Sequence, residues 1–351
     1  MHVVGVSVLA AACGNAVTAH RIASHLVRLG ATCELVDVDA PALPPADVYW
    51  GIHAFRAGRL LLSAARPFVL VLGGTDVNTF VDDPQRNAFM ETVLRRAFAV
   101  VAFSDDFAAA ARSSWPFLDD KLTVIAPAAD CPADFEPGSR SDDDDVWSHL
   151  LPGTVALGAR SFFVLPTALR PVKDPLFVVD EFERWHRTDP ERAPLLLLFG
   201  PERGDDAFAA RVRERVSRCG GVYFVGVVPR DALLALERSR RCLAVLNTSE
   251  SEGLANAMIE AALLGVPRVA RNIAGNRSVV EHGVTGFLFD TPRQCIEQLQ
   301  LVASGYDCAQ MTARASALIA ERFSAQAEAS SYFCALTRAA ARGDENRRTA
   351  E

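Results

Sequence analysis

Apolar residues along this chain fall into two alternating patterns. Short uninterrupted runs are separated by longer stretches in which apolar positions recur every three or four residues. The runs at 3–9, 33–38, 67–72, 98–103 and 122–125 predict strands, with 47–52 a weaker one. Between them, 17–29, 83–96 and 107–115 carry helical spacing, and Gly30 and Pro116 mark two helix ends. Uninterrupted apolar strands suit a sheet covered on both faces, so this alternation predicts a parallel, doubly wound α/β domain. A second series follows, with strands at 161–165, 194–199, 222–225 and 243–246 and helices at 176–186, 207–218 and 231–239. Further helices are predicted at 296–303, 311–323 and 326–341.

The pattern breaks over 131–153, which holds Pro132, Pro137, Gly138 and four consecutive aspartates, Asp142 to Asp145. That composition reads as linker. Consecutive aspartates on a loop do not converge on a metal, so the run reads as solvated charge. The predicted division is a Rossmann-like domain at 1–130, a linker and acidic loop at 131–157, and a second Rossmann-like domain at 158–325. A helix at 326–342 is long enough to return toward the first domain, and 343–351 reads as a charged, frayed tail.

The densest chemistry lies in 249–286. Its centre, LANAMIEAALL at 254–264, predicts an apolar helix stopped by Gly265 and Pro267. Glu252, Asn256 and Glu260 are spaced i, i+4, i+8, so on one helix they form a polar stripe roughly 12 Å long. A carboxylate on so apolar a helix needs a partner, either another protein group or a ligand. The expected N-terminus of that helix offers N–H groups at Gly253 and Leu254 to an anion, and Gly253 lets a ligand approach closely.

Here the residues resemble a family. Glu252 and Glu260 match the E-x7-E signature of the retaining GT-B glycosyltransferases of family 4, also called group 1. GVPRVA from Gly265 is similar to that family's G-x-P-V-V-A, and Gly275 with HGVTG from His282 to its glycine turns. The segment ALRPVKDP from Ala168 resembles its G-x-R-x-x-x-K-G. The resemblance implies two Rossmann-like domains facing across a cleft. It implies transfer of a sugar from a nucleotide sugar, UDP-linked, with retention and without a metal. By the same resemblance Glu260 and Asn256 hold the nucleoside side, Glu252 contacts the donor sugar, and Arg170 and Lys173 hold the diphosphate.

The chain also departs from the family pattern. Ala168 and Asp174 stand where glycines are usual, and the Arg–Lys spacing is short. These departures keep open a degenerate protein that binds a nucleotide sugar without turnover. An epimerase or phosphorylase on the same fold is a third reading.

In the first domain, the strand at 67–72 ends in the loop Gly73-Gly-Thr-Asp-Val-Asn78. Ligands of open α/β sheets bind beyond the carboxyl ends of strands, so Thr75 and Asp76 are candidates. A tight turn capped by Asp76 is the alternative. His53 at the end of its strand is either a hydrogen-bonded structural residue or a donor to the acceptor, and Gly14 lies in the first strand–helix turn. No G-x-G-x-x-G follows the first strand, so a dinucleotide cofactor is not supported.

Bulk properties narrow the partners. A net charge of −7 gives no electrostatic case for nucleic acid. No run reaches the roughly 20 apolar residues of a membrane span. The eight cysteines are scattered, without C-x-x-C or zinc spacing, as in a reducing cytosol. The apolar stretch 2–12 ends Ala-Ala-Ala before Cys13, which imitates a signal peptide. No Lys or Arg precedes it and the run is short, so it reads as a buried first strand and the protein as cytoplasmic.

Overall fold

The computed structural model describes residues 1–9, 14–129, 138, 140–142, 151, 158–202 and 204–348. They form two compact units, Met1–Ala128 with Phe323–Glu351, and Ala129–Arg322. Cys13 and most of the predicted acidic loop lie outside the described residues.

The first unit holds β1 (His2–Ser7), β2 (Thr32–Asp37), β3 (Val48–Ile52), β4 (Phe68–Val71), β5 (Ala99–Ala102) and β6 (Leu122–Val124). They pair in the order β2-β1-β3-β4-β5-β6, all parallel. The chain runs outward from β1 to β2 and then crosses back to β3, so the order reverses between β1 and β3. One face of the sheet, with Val3, Trp50 and Val69, packs with Ile22 of helix Gly14–Arg28 and with Tyr332 and Leu336 of helix Ala325–Arg348. The other face, with Val4, Val6 and Leu70, packs with Leu60, Met90 and Val93.

The tail predicted to fray from 343 is helical to Arg348. Gly343 lies so close to Pro67 that an added Cβ would come within 2.8 Å of it, and Asp344 pairs with Arg66 at 2.5 Å. Earlier on this helix, the fully buried Glu328 accepts from Arg21 at 3.0 Å, His25 at 2.9 Å and the Ala128 N–H at 2.8 Å. These contacts supply the tertiary anchoring that a charged terminal sequence does not reveal.

The second unit holds β7 (Phe162–Pro166), β8 (Leu195–Phe199), β9 (Val222–Gly226), β10 (Cys242–Asn247), β11 (Arg268–Arg271) and β12 (Phe287–Phe289). The order is β12-β11-β10-β7-β8-β9, again parallel. Phe163, Leu165, Leu196, Leu246 and Val269 pack with Phe182 and Leu299 into one core. The chain leaves β7 toward β9 and returns to β10 on β7's other side, so here the reversal lies between β7 and β10.

Two further expectations need correction. The segment after β4 is not a loop: Gly74–Asn78 is a short helix, because the Asp76 carboxylate accepts the Gly73 N–H at 2.9 Å and closes the turn. The helix predicted over 254–264 spans Asn256–Leu263. Glu252 therefore precedes it, and the three-residue stripe on a single helix does not form.

Candidate active site

In an open α/β sheet the strand ends at an order reversal leave room for a ligand. In the second unit that place is flanked by the loop after β7, which carries Arg170 and Lys173, and the loop after β10, which carries Glu252. The two loops are bonded together. Thr248 Oγ1 donates to the Lys173 carbonyl at 3.1 Å, and the Glu250 N–H donates to the Val172 carbonyl at 2.9 Å. Lys173 Nζ then meets Glu252 Oε1 at 2.5 Å.

Glu252 is held by its own neighbours. Ser249 Oγ donates to Oε1 at 2.8 Å and Asn247 Nδ2 at 3.3 Å, while Asn247 Oδ1 accepts the Ser249 N–H at 3.0 Å. Behind it, the buried Asn276 donates to Asn247 Oδ1 at 3.3 Å and to the Arg271 carbonyl at 2.8 Å. Gly275 presses against this loop so closely that an added Cβ would lie 2.3 Å from the Glu252 carbonyl oxygen. Side-chain bonds of this local kind compete with helix formation, which explains why the helix starts four residues after Glu252.

Asn256 opens the helix and is exposed. Glu260 lies one turn on, half-buried, and its Oε1 accepts from Arg230 Nε at 2.9 Å and Nη2 at 2.7 Å. Arg230 begins the helix Arg230–Arg238, on which Glu237 is buried. Burial raises the Glu237 carboxyl well above its ordinary range, and the Glu260 charge adds to the rise. Gly253 and Leu254 lie before the N-cap Ala255, so their N–H groups are not those of the helix's first turn. Arg170 is exposed, and no ion pair to it is found among the described residues.

Sequence reasoning missed Arg230, Arg271, Asn247 and Asn276. An apolar strand that ends on an asparagine, as β10 does, is a signal for Asn247. Nothing local marks Arg230, which meets Glu260 across thirty positions.

In the first unit, His53 follows β3 at φ 78°, one of two non-glycine residues with positive φ among those described. Its Nδ1 stands 2.6 Å from Asp76 Oδ1 and its Nε2 2.5 Å from Thr75 Oγ1. Asp76 is fully buried and also accepts the Ala54 and Phe55 N–H groups at 2.7 and 3.3 Å. Asp76 thus caps the helix after His53 as well as its own turn. The structure brings His53, Thr75 and Asp76 together. Gly14 heads its helix in an exposed position with open space around it and is not part of this cluster.

Residues 161–304 match a family model described as glycosyl transferases group 1. Over 308 residues the chain is 32% identical to glycosyltransferase 1 domain-containing protein 1 of Xenopus tropicalis, covering 85% of this chain and 86% of that one. The chain belongs to the group 1 glycosyltransferases. Another relative in this comparison is D-inositol 3-phosphate glycosyltransferase of Jonesia denitrificans, 29% identical over 56% of this chain and 46% of that one. Among solved structures, Anabaena HepE in complex with UDP-glucose superposes with TM-score 0.73 at 18% identity, over 96% of this chain and 100% of that one. Sucrose-phosphate synthase from Thermosynechococcus elongatus gives 0.72 at 15% identity, over 95% and 97%. The two parallel six-stranded sheets are those of the GT-B glycosyltransferase fold.

Within the described residues no helix is long and apolar enough to cross a membrane. Nor do three or more His, Cys, Asp or Glu side chains among them gather as a metal group would.

Proposed function

We propose that this group 1 glycosyltransferase takes its sugar from a UDP-linked donor and transfers it to an acceptor hydroxyl with retention at the anomeric carbon. The observation that carries the reading is the Lys173–Glu252 pair at the order reversal of the second sheet, in the loop that leads into the helix carrying Asn256 and Glu260. In this reading Glu260 and Asn256 hold the nucleoside, with the Glu260 carboxylate accepting from the ribose hydroxyls. Lys173 and Arg170 hold the diphosphate. The Gly253 and Leu254 N–H groups face it as loop donors, and Glu252 contacts the sugar. Support comes from the family and from a neighbour of the same fold that carries UDP-glucose.

The chemistry follows from charge. The bond from the anomeric carbon to the β-phosphate oxygen breaks, and its electron pair stays on the diphosphate. Fixed cations aimed at that oxygen stabilise the developing charge, each worth roughly 3–4 kcal/mol in a water-poor site. The acceptor oxygen attacks from the same face and its proton passes to the departing phosphate oxygen. No protein base is needed, and side-chain cations fill the role a divalent metal would otherwise play. We assign the acceptor side to Gly14, His53, Thr75 and Asp76, with Asp76 acting by holding His53. The reading places the protein in the reducing cytosol.

One observation favours binding without turnover. Asp174, next to Lys173, stands in left-handed backbone where the family pattern has a glycine. A thermal-shift panel of UDP, GDP, ADP and their sugars, with and without Mg²⁺, followed by acceptor screening separates the two. A shift of about 2.7 kcal/mol in stability at 100-fold saturation with one UDP-sugar, indifferent to Mg²⁺, supports the donor assignment. Acceptor-dependent release of UDP supports transfer. Binding without release in any acceptor mixture supports the second reading, and no shift with any nucleotide sugar contradicts both.

A further inference from the structure

Asp174 closes the loop after β7 in the left-handed region, at φ 40° and ψ 55°. A glycine would sit there without steric cost, whereas aspartate tolerates the conformation because its short side chain can bond locally. This aspartate bonds at long range instead. Its Oδ2 accepts from Arg271 Nη1 at 3.0 Å, across 97 positions of sequence.

Arg271 is the last residue of β11 and joins three segments. The same Nη1 donates to the Thr248 carbonyl at 3.2 Å. The guanidinium carbon lies 4.1 Å from the centroid of the Phe177 ring, which fixes its plane. Thr248, as noted, donates its hydroxyl to the Lys173 carbonyl. Lys173 is therefore held on both sides. Thr248 grips its carbonyl, Asp174 follows it in sequence, and Arg271 binds both of these residues.

Burial raises the Asp174 carboxyl above its ordinary value, and the Arg271 charge and hydrogen bond pull it back. A non-glycine residue in the left-handed region, tied at long range to a guanidinium that also binds the loop after β10, points to a positioning task.

We propose that Asp174 and Arg271 are positioning residues for the diphosphate-binding Lys173: by tying the loop after β7 to the ends of β10 and β11, they set where the Lys173 ammonium meets the donor. The proposal rests on the UDP-sugar reading above. Neither Asp174 nor Arg271 touches the donor in it.

The test is titration of UDP and of uridine into the full chain and its variants. Asp174→Ala and Arg271→Ala should each weaken UDP binding about tenfold while uridine affinity is unchanged, and the double variant should be no weaker than Arg271→Ala alone. Asp174→Asn keeps an acceptor oxygen and tolerates the left-handed backbone, so it should stay within about threefold of wild type. If the alanine variants fail to fold, Arg271→Lys replaces them: an ammonium cannot reproduce the planar fork, so it should weaken UDP while Asp174→Asn does not. Unchanged or tighter UDP binding by Asp174→Ala, with loss in Arg271→Ala, would make Arg271 itself the phosphate ligand and overturn the proposal. Equal loss of UDP and uridine would leave the pair a merely structural role and overturn it too. Wild-type protein that binds no UDP removes the donor reading and the proposal with it, whereas UDP binding indifferent to every variant removes the proposal alone.

Discussion

Lys173 Nζ lies 2.5 Å from Glu252 Oε1, 79 positions away in sequence, joining the loops after two neighbouring strands. In the proposed reading the pair sets a cation and a carboxylate of opposing effect beside an incoming diphosphate. Glu252→Gln keeps the shape and an oxygen for Ser249 but removes the charge that offsets Lys173. UDP should then bind a few-fold tighter, since partly exposed pairs of this kind are worth about 1 kcal/mol or less. Sugar transfer should slow, because the sugar loses its carboxylate. Titration of UDP beside a turnover assay checks both signs, and weaker UDP binding would show that Glu252 does not act on Lys173.

Gly275 is where backbone must approach backbone. A methyl group there would sit 2.3 Å from the Glu252 carbonyl oxygen, which has no flexible way to yield. Gly275→Ala should displace Glu252 and lower turnover by about 100-fold, the scale of a 1 Å misplacement, while UDP affinity changes little. Full turnover in this variant would mean that the position of Glu252 is immaterial.

Asp76 holds the local fold around His53. It satisfies the Gly73, Ala54 and Phe55 N–H groups from a fully buried position. Asp76→Ala leaves them unpaired and should destabilise the first unit by about 2–4 kcal/mol. Thr75→Val removes only the hydroxyl beside His53 Nε2 and should keep the stability. Chemical denaturation of both variants tests this, and a small loss for Asp76→Ala would deny it the capping role.

His186 gives the fold a pH dependence of known sign. It is buried against Gly221, and burial lowers its pKa below 6.5. Between that lowered value and 6.5 the unfolded chain binds more protons than the folded one, so stability falls as pH drops through this window. The slope is at most about 1.4 kcal/mol per pH unit. Urea unfolding at pH 5.5 and 7.5 should show a larger loss for wild type than for His186→Gln; equal losses would show that His186 is not the titrating group.

The apolar runs made the central strands of both sheets legible, because a strand covered on both faces leaves no polar alternation to confuse the reading, whereas the three-residue β12 at Phe287–Phe289 was too short to register. Glu252 and Glu260 were legible as a motif but not as geometry. Ser249 and Asn247 hold the segment before Asn256 in a turn, and a helical wheel cannot register that competition. The partners Arg230 and Arg271 were out of reach, since each meets its carboxylate only after the chain has folded between them. The tail from 343 looked frayed because its charges give no sign that Asp344 has Arg66 to bind.

If Glu260 and the Lys173–Glu252 pair bind a UDP-sugar, calorimetric titration of UDP-glucose into the wild-type chain and into Glu260→Gln should show it. Wild type should bind saturably and the variant about tenfold or more weakly, the scale of losing a charged hydrogen-bond acceptor. No binding by wild type, or equal affinity in a folded Glu260→Gln, would contradict it.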